Sequence, residues 1–407
     1  MPRGELPVET ESTERIVLHV DADCFYAACE RLREPALRGE PVVVGMGYED
    51  GDDTGAVATA SYEAREHGVE SAQAISVALD RLPRRDETDS GPTGFYRPVD
   101  MPYYESVAAD VRAVLHELAD TVREVSIDEA YLDVTERTDW GVVEGFARHV
   151  KQRVKREAGV TVSVGVAPTM SAAKVASDAE KPDGLVVVEP GDVRGFFAPL
   201  DVEAVHGVGP VTTRELREMG VETAGDLATA DPDALGERFG ERGREVRRRA
   251  RGEDEREVEP TGKPKSLNRE SAFGDATTDA ERQRERIDAL AAAVAERAAR
   301  RGALYRTIGV KAVEPPFEVN TRARSLPGPV EDAALVRTVA EELFAEFAGE
   351  ELRKVGVRVS NLAFPDAEQA TLGGFEGESG VGEIRRPERR THSDGSANGQ
   401  ASLDEFE

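Results

Sequence analysis

Apolar and polar positions alternate through Ile16, Leu18 and Val20, and a period of two predicts a strand. FYAACERL then reads as a helix, and PVVVG (41–45) and GAVATAS (55–61) as two further strands. The loop between them, MGYEDGDDT, is acidic and contains glycine, so it is expected to be solvated. SYEAREHG predicts a short helix stopped by Gly68, and residues 81–94 a polar loop. Helical periodicity covers 104–120 and 142–157. VTVSVGVAP (160–168) and LVVVEP read as strands around a helix in TMSAAKVASDAEKPDG, closed by Pro182 and Gly184. In EVSIDEAYLDV (124–134) strand-forming residues flank the adjacent carboxylates Asp128 and Glu129, which predicts strand, tight turn, strand. Strand–helix alternation that includes hairpins predicts an α+β sheet domain over the first 190 residues.

From Asp192 to about Gly252 the alternation stops and short helices take over. REVEPTGKPKS (256–266) has the composition of a linker. Residues 267–363 run strand, helix (279–302), strand, strand, helix (330–348), strand, the order of a ferredoxin-like split module. Residues 1–14 and those after Phe364 are polar and are expected to be disordered. No solenoid repeat is visible.

No apolar run reaches the roughly 18 residues of a membrane span, and the N-terminus has no apolar signal core. Cys24 and Cys29 form no disulfide framework or metal pattern, as expected in a reducing cytoplasm. The net charge of −28 argues against a nucleic-acid partner if it is taken alone. The chain, however, has 8 Lys and 44 Arg, many Asp, Glu, Ala, Val and Gly, and few large apolar residues. That pattern is typical of proteins from a halophile, where an acidic surface answers the solvent. Residues 266–364 escape it, with 15 Lys and Arg against 16 Asp and Glu.

Asp21 ends an apolar strand, and Asp128 and Glu129 lie in or beside a hairpin turn. If those strands are neighbours, the three carboxylates converge. Their mutual repulsion then calls for a divalent cation, and an all-oxygen donor set without His or Cys nearby suits Mg²⁺ or Mn²⁺. Two such ions about 4 Å apart serve in-line phosphoryl transfer. Solvated turn carboxylates are the plain alternative. Asp23 shares a face with Asp21, either as a supporting group or as a further ligand. Thr59, Tyr62 and Arg65 offer donors to phosphate, with Tyr62 and Arg65 on one helical face, and Lys181 lies at a helix end. In VHGVGPVTTRELREMGV (205–221) a G-x-G turn between short helices reads as a helix-hairpin-helix. Gly207 and Gly209 there open backbone N–H groups to a DNA phosphate. RGREVRRRARG (242–252) adds an arginine cluster, expected with 266–364 to face DNA.

Five motifs in collinear order carry a resemblance: VDADCFYAACE, GAVATASYEAR, SIDEAYLDV, SVGVAPTMSAAKVASDAEKPDG and VHGVGP. Over roughly 15–363 the chain resembles the Y-family, or translesion, DNA polymerases of the DinB/polymerase IV branch, with the composition of a halophilic archaeon. The resemblance implies a right-hand fold: palm at 15–32 and 95–190, fingers at 33–94, thumb at 191–255, linker at 256–265 and little finger at 266–364. Residues 365–407 would be a tail. It implies that Asp21, Asp128, Glu129 and the backbone carbonyl of Ala22 hold two Mg²⁺ ions, with Mn²⁺ as a possible substitute. Tyr26 would be the steric gate against a 2′-hydroxyl, and Thr59, Tyr62, Arg65 and Lys181 the dNTP triphosphate contacts. Ser126 precedes the carboxylate pair as it does in the family. Two positions depart from the family: Ala22 stands where a bulky residue is frequent, and DMPYY lacks the basic residue usual before the tyrosine that matches Tyr104.

The implied activity is low-fidelity, template-directed DNA synthesis across lesions by a monomer on primer-template DNA. No second carboxylate cluster resembles a proofreading exonuclease. At the C-terminus, Gln400, Leu403 and Phe406 in QASLDEFE follow the Q-x-x-L-x-x-F spacing of a sliding-clamp (PCNA) docking peptide. A palm-type nucleotidyl cyclase is the first rival, but it needs neither the helix-hairpin-helix nor the C-terminal module. A non-catalytic DNA-binding scaffold is the second, and it predicts loss of one of the three carboxylates.

Overall fold

The computed structural model describes residues 14–88 and 90–365; the predicted clamp peptide at Gln400, Leu403 and Phe406 lies outside them. Twelve strands follow in chain order. β1 (Val17–Ala22), β2 (Val42–Met46), β3 (Ala56–Ala60) and β4 (Phe95–Pro98) come first. β5 (Thr121–Glu124), β6 (Glu129–Asp133), β7 (Val162–Ala167) and β8 (Leu185–Val187) complete one unit, which ends at Thr261. β9 (Ser266–Thr277), β10 (Leu304–Glu314), β11 (Glu318–Val330) and β12 (Leu352–Ala363) belong to a second unit that begins at Gly262.

In the first unit a five-stranded sheet runs β5-β6-β1-β7-β8. β1 is its middle strand and buried along its whole length, which explains why VLHV is apolar apart from one histidine. Helix Met170–Ala179 lies on β7, started by the Thr169 hydroxyl accepting from the Ala172 N–H. The close approach depends on Gly165, where a Cβ would fall 2.1 Å from the Ala173 carbonyl oxygen. β3-β2-β4 form a second, three-stranded sheet with β2 and β4 parallel. The resemblance implies that the palm resumes at residue 95, whereas the hydrogen bonding puts Phe95–Pro98 in this small sheet. Helix Ile75–Arg81 was not predicted, since its first turn has no side-chain cap and Val77 faces solvent.

The segment 191–255 is helical as expected. Its G-x-G turn, however, follows only the three-residue 3₁₀ turn Val202–Ala204 before helix Pro210–Glu218.

The second unit has sheet order β11-β10-β12-β9 with helices Ala280–Arg300 and Ala333–Phe344, the predicted β-α-β-β-α-β succession. Ile287, Val294, Val336 and Phe344 from the helices meet Ile308, Val310, Val355 and Val357 from the sheet in one core. Asp279 and Asp332 cap the two helices and fix their starts. Pro327 and Pro329 are tolerated because β11 is an edge strand.

Candidate active site

Residues 19 and 21 share one face of β1. The register sets Asp21 opposite Glu129 of β6 and Ser163 of β7, and His19 opposite Tyr131 and Gly165. Like charges directly across a sheet destabilise it. Two lysines answer here. Lys174 Nζ lies 2.9 Å from Asp21 Oδ2 and 3.1 Å from Glu129 Oε2, and Lys181 Nζ lies 2.7 Å from Asp21 Oδ2. Both also reach Asp178, at 3.4 and 2.8 Å. His19, fully buried, puts Nε2 3.2 Å from Glu129 Oε2 and Nδ1 2.8 Å from Ser177 Oγ. Burial pushes Glu129 up, but His19 and Lys174 outweigh it and hold the carboxyl well below the usual range.

Asp128 stands in the turn before β6. Its backbone carbonyl accepts from the Ala22 N–H at 2.9 Å, and the Ser126 hydroxyl donates to its carboxylate. Ser126 Oγ also accepts from the Glu129 N–H at 3.1 Å, which fixes the turn. Burial, then the charges of Asp21 and Glu129, push the Asp128 carboxyl up to about 7. Among the described residues no side-chain cation pairs with it, and with Asp178 included the cluster sets four carboxylates against two lysines.

A divalent ion fits this arrangement. Asp21 and Glu129 offer hard carboxylate oxygens, one atom each from these two and from His19 lies within 4.8 Å of the others, and Asp128 adds a carboxyl that no side-chain cation offsets. His19 stands beside Glu129, contrary to the expectation of no histidine nearby, but both its ring nitrogens are engaged, one by Glu129 and one by Ser177.

Asp23 accepts from the Ser163 hydroxyl at 2.8 Å, the Asp183 N–H at 2.8 Å and the Tyr62 hydroxyl at 3.3 Å. It therefore ties β1 to β7 and to helix Tyr62–Arg65. The Arg65 guanidinium stands 5.0 Å from the Tyr62 ring centre, and its Nε donates to the Ala60 carbonyl at 3.0 Å. Thr59 lies on β3, half-buried. Tyr26 is buried and stacks on Tyr104 with ring centres 4.7 Å apart, and the Tyr104 hydroxyl donates to Glu30 at 2.7 Å.

At the glycine turn Gly207 has φ +97°, which favours glycine, whereas Gly209 is extended and caps helix Pro210–Glu218. The arginine cluster divides. Arg242 donates to the Gly207 carbonyl at 3.0 Å, Arg247 to Ala230 at 2.8 Å and Arg249 to His206 at 2.9 Å. Arg244 and Arg248 pair with Glu241 on the exposed side. Half of the presumed DNA-facing cluster thus holds loops together.

Sequence reasoning missed His19 and Lys174. Two signals were present: the two-residue spacing of His19 and Asp21, and the i, i+4, i+7 spacing of Lys174, Asp178 and Lys181.

Residues 20–178 match the impB/mucB/samB family and 264–372 its C-terminal domain. DNA polymerase IV of Halobacterium salinarum is 65% identical over 380 residues, 93% of this chain and 92% of its own. DNA polymerase IV of Methanoculleus marisnigri is 41% identical over 89% of this chain and 98% of its own. A chimera of the Y-family DNA polymerases Dbh and Dpo4 superposes with a TM-score of 0.76 at 28% identity, covering 86% of this chain and all of the other. An insertion ternary complex of Dbh DNA polymerase gives 0.61 at 26% identity, covering 86% of this chain and all of the other. With a haloarchaeal relative this similar over most of both lengths, the chain belongs to the Y-family, the translesion DNA polymerases, in the DNA polymerase IV branch.

Proposed function

We propose that Asp21, Asp128 and Glu129, with the Ala22 carbonyl, hold two Mg²⁺ ions, with Mn²⁺ able to substitute, and that the site joins a dNTP to a primer 3′ end. Y-family polymerases use divalent ions. The observation that supports the reading is the register setting Asp21 against Glu129, with Asp128 unneutralised beside them. When bound, the ions supply charge neutralisation at the reacting phosphate and favour the ionised 3′-hydroxyl. The chain's own residues position the reactants. Arg65, Tyr62, Thr59 and Lys181 orient the triphosphate, so that the α-phosphate meets the primer hydroxyl in line with the departing pyrophosphate. Tyr26, braced by Tyr104, lies under the deoxyribose and excludes a 2′-hydroxyl by sterics. Gly207 and Gly209 take backbone phosphates of the duplex. The substrates are primer-template DNA and dNTPs, the protein acts as a cytoplasmic monomer, and no proofreading site accompanies the polymerase site.

Primer extension in high KCl tests this, first with dNTPs and then with rNTPs. Tyr26→Ala should admit rNTPs and keep dNTP incorporation; unchanged exclusion of rNTPs would remove Tyr26 from the gate. The C-terminal Gln400, Leu403 and Phe406 would dock on the sliding clamp, a PCNA ring, with 365–399 as tether. Deleting 400–407 should abolish stimulation by the clamp and leave synthesis on a free primer unchanged. Equal stimulation of both forms would reject the docking.

A further inference from the structure

Lys174 has no part in the proposed mechanism. Its ammonium stands between the two carboxylates that oppose each other across β1 and β6, 2.9 Å from Asp21 and 3.1 Å from Glu129. Its side chain is only 18% exposed. Lys181 is different, because of the three site carboxylates it pairs with Asp21 alone. The backbone that carries Lys174 is fixed by the close packing of its helix at Gly165. Ser177, one turn further on, donates to the Lys174 carbonyl at 2.7 Å and touches His19, which in turn touches Glu129. One helix therefore holds both a cation against the carboxylates and a brace behind one of them.

We propose that Lys174 is a resident counter-cation, which keeps Asp21 and Glu129 assembled in the metal-free protein and is displaced from them when a divalent ion binds. This rests on the reading of Asp21 and Glu129 as metal-holding residues. An ammonium and a divalent ion cannot both occupy the space between two facing carboxylates at hydrogen-bond distance. The two cations compete, and competition is a coupling with a definite sign. Removing the lysine destabilises the metal-free state, in which the two carboxylates then repel, more than the metal-bound state. Metal affinity should rise as metal-free stability falls.

The test is Lys174→Met, which keeps most of the unbranched side chain and removes the charge. Mn²⁺ binding is followed by calorimetry or by the spin-resonance signal of free Mn²⁺, without DNA or nucleotide, and melting is followed in chelator and in saturating Mn²⁺. Tighter Mn²⁺ binding by at least about fivefold is expected, with a lower Tm in chelator and a larger Tm gain on adding Mn²⁺. If Lys174→Met is unfolded in chelator, Mn²⁺ should fold it by mass action, and failure to do so overturns the proposal. Lys311→Met, which breaks an ion pair in the second unit, should lower Tm and leave the Mn²⁺ gain at the parental value. A change in that gain equal to the Lys174→Met change would reduce the effect to general destabilisation and overturn the proposal. Mn²⁺ binding that is unchanged or weaker in Lys174→Met overturns the counter-cation alone. If the parent chain binds no Mn²⁺, the metal reading falls and this proposal with it.

Discussion

Two clusters use four of the eight lysines in the chain, and they differ in one respect. In the second unit Glu270 of β9 faces Lys311 at 3.0 Å and Lys354 at 2.6 Å, one carboxylate for two cations. In the first unit Asp21, Glu129 and Asp178 share Lys174 and Lys181, and Asp128 beside them pairs with neither. Both clusters depend on a glycine in a neighbouring strand. Gly356 of β12 lies between Lys311 and Glu270 in the register, and a Cβ there would fall 2.7 Å from Glu270 Cγ. Gly165 lets the lysine-bearing helix approach β7. The local devices are the same, so the balance of charge decides the outcome. A carboxylate held by two lysines makes an ion pair that supports folding, and on the proposed reading carboxylates that outnumber their lysines leave room for a metal ion.

The strongest way to break that comparison is to remove the surplus charge. Asp128→Asn should lower primer extension by about a hundredfold or more, since on the proposed reading it removes a carboxylate that helps hold the ions at the reacting phosphate. Binding of primer-template should be retained, because the glycine turn proposed to contact the duplex is untouched. In chelator the same variant should melt higher than the parent, since the buried carboxylate is repelled by Asp21 and Glu129. Near-parental extension by Asp128→Asn would remove Asp128 from the metal set, and a lower Tm would mean that its charge is compensated.

Glu270→Gln is the opposing case. Burial pushes the Glu270 carboxyl up, but Lys354 and Lys311 more than offset this and hold it below the usual carboxylate range. A depressed folded value stabilises above the unfolded pKa and is lost as pH falls through the folded value. Glu270→Gln should therefore cost roughly 1–3 kcal/mol near neutral pH, with Tm below the parent, and the gap should close on acidification through the carboxylate range. A gap independent of pH would mean that Glu270 acts by packing and not by charge. The two carboxylate-to-amide changes should thus move stability in opposite directions.

The sequence placed much of this in view, for a physical reason. Asp21, Asp128 and Glu129 are polar residues inside strand-forming segments, and a violated pattern can be read locally. His19 and Lys174 were missed because their roles arise across strands. Only the register, with His19 beside Gly165 and Asp21 beside Glu129, shows what they touch. The arginines of 242–252 were read as one cationic surface. Unpaired backbone carbonyls at His206, Gly207 and Ala230 claim three of them, and such carbonyls leave no trace in a sequence. The β-α-β-β-α-β order of the second unit was legible because each element has a clear period and the two helices have aspartate caps.

The smallest expected effect is the most direct measure of how far the second cluster is structural. Lys311 is the outlying member, with its side chain 32% exposed and both Glu270 oxygens within 3.1 Å. Glu270 keeps Lys354 when Lys311 is removed, so no buried charge is stranded. Lys311→Met also leaves a long apolar stem on the sheet, which preserves most of the packing. The loss should therefore lie near that of a partly exposed ion pair, about 0.5–1 kcal/mol, and should shrink as KCl is raised, because solvent ions reach the ammonium. Urea or thermal melts at low and high KCl measure it. A loss as large as that of Glu270→Gln would mean that Lys354 alone cannot hold the carboxylate. In that case the two lysines would act as a unit.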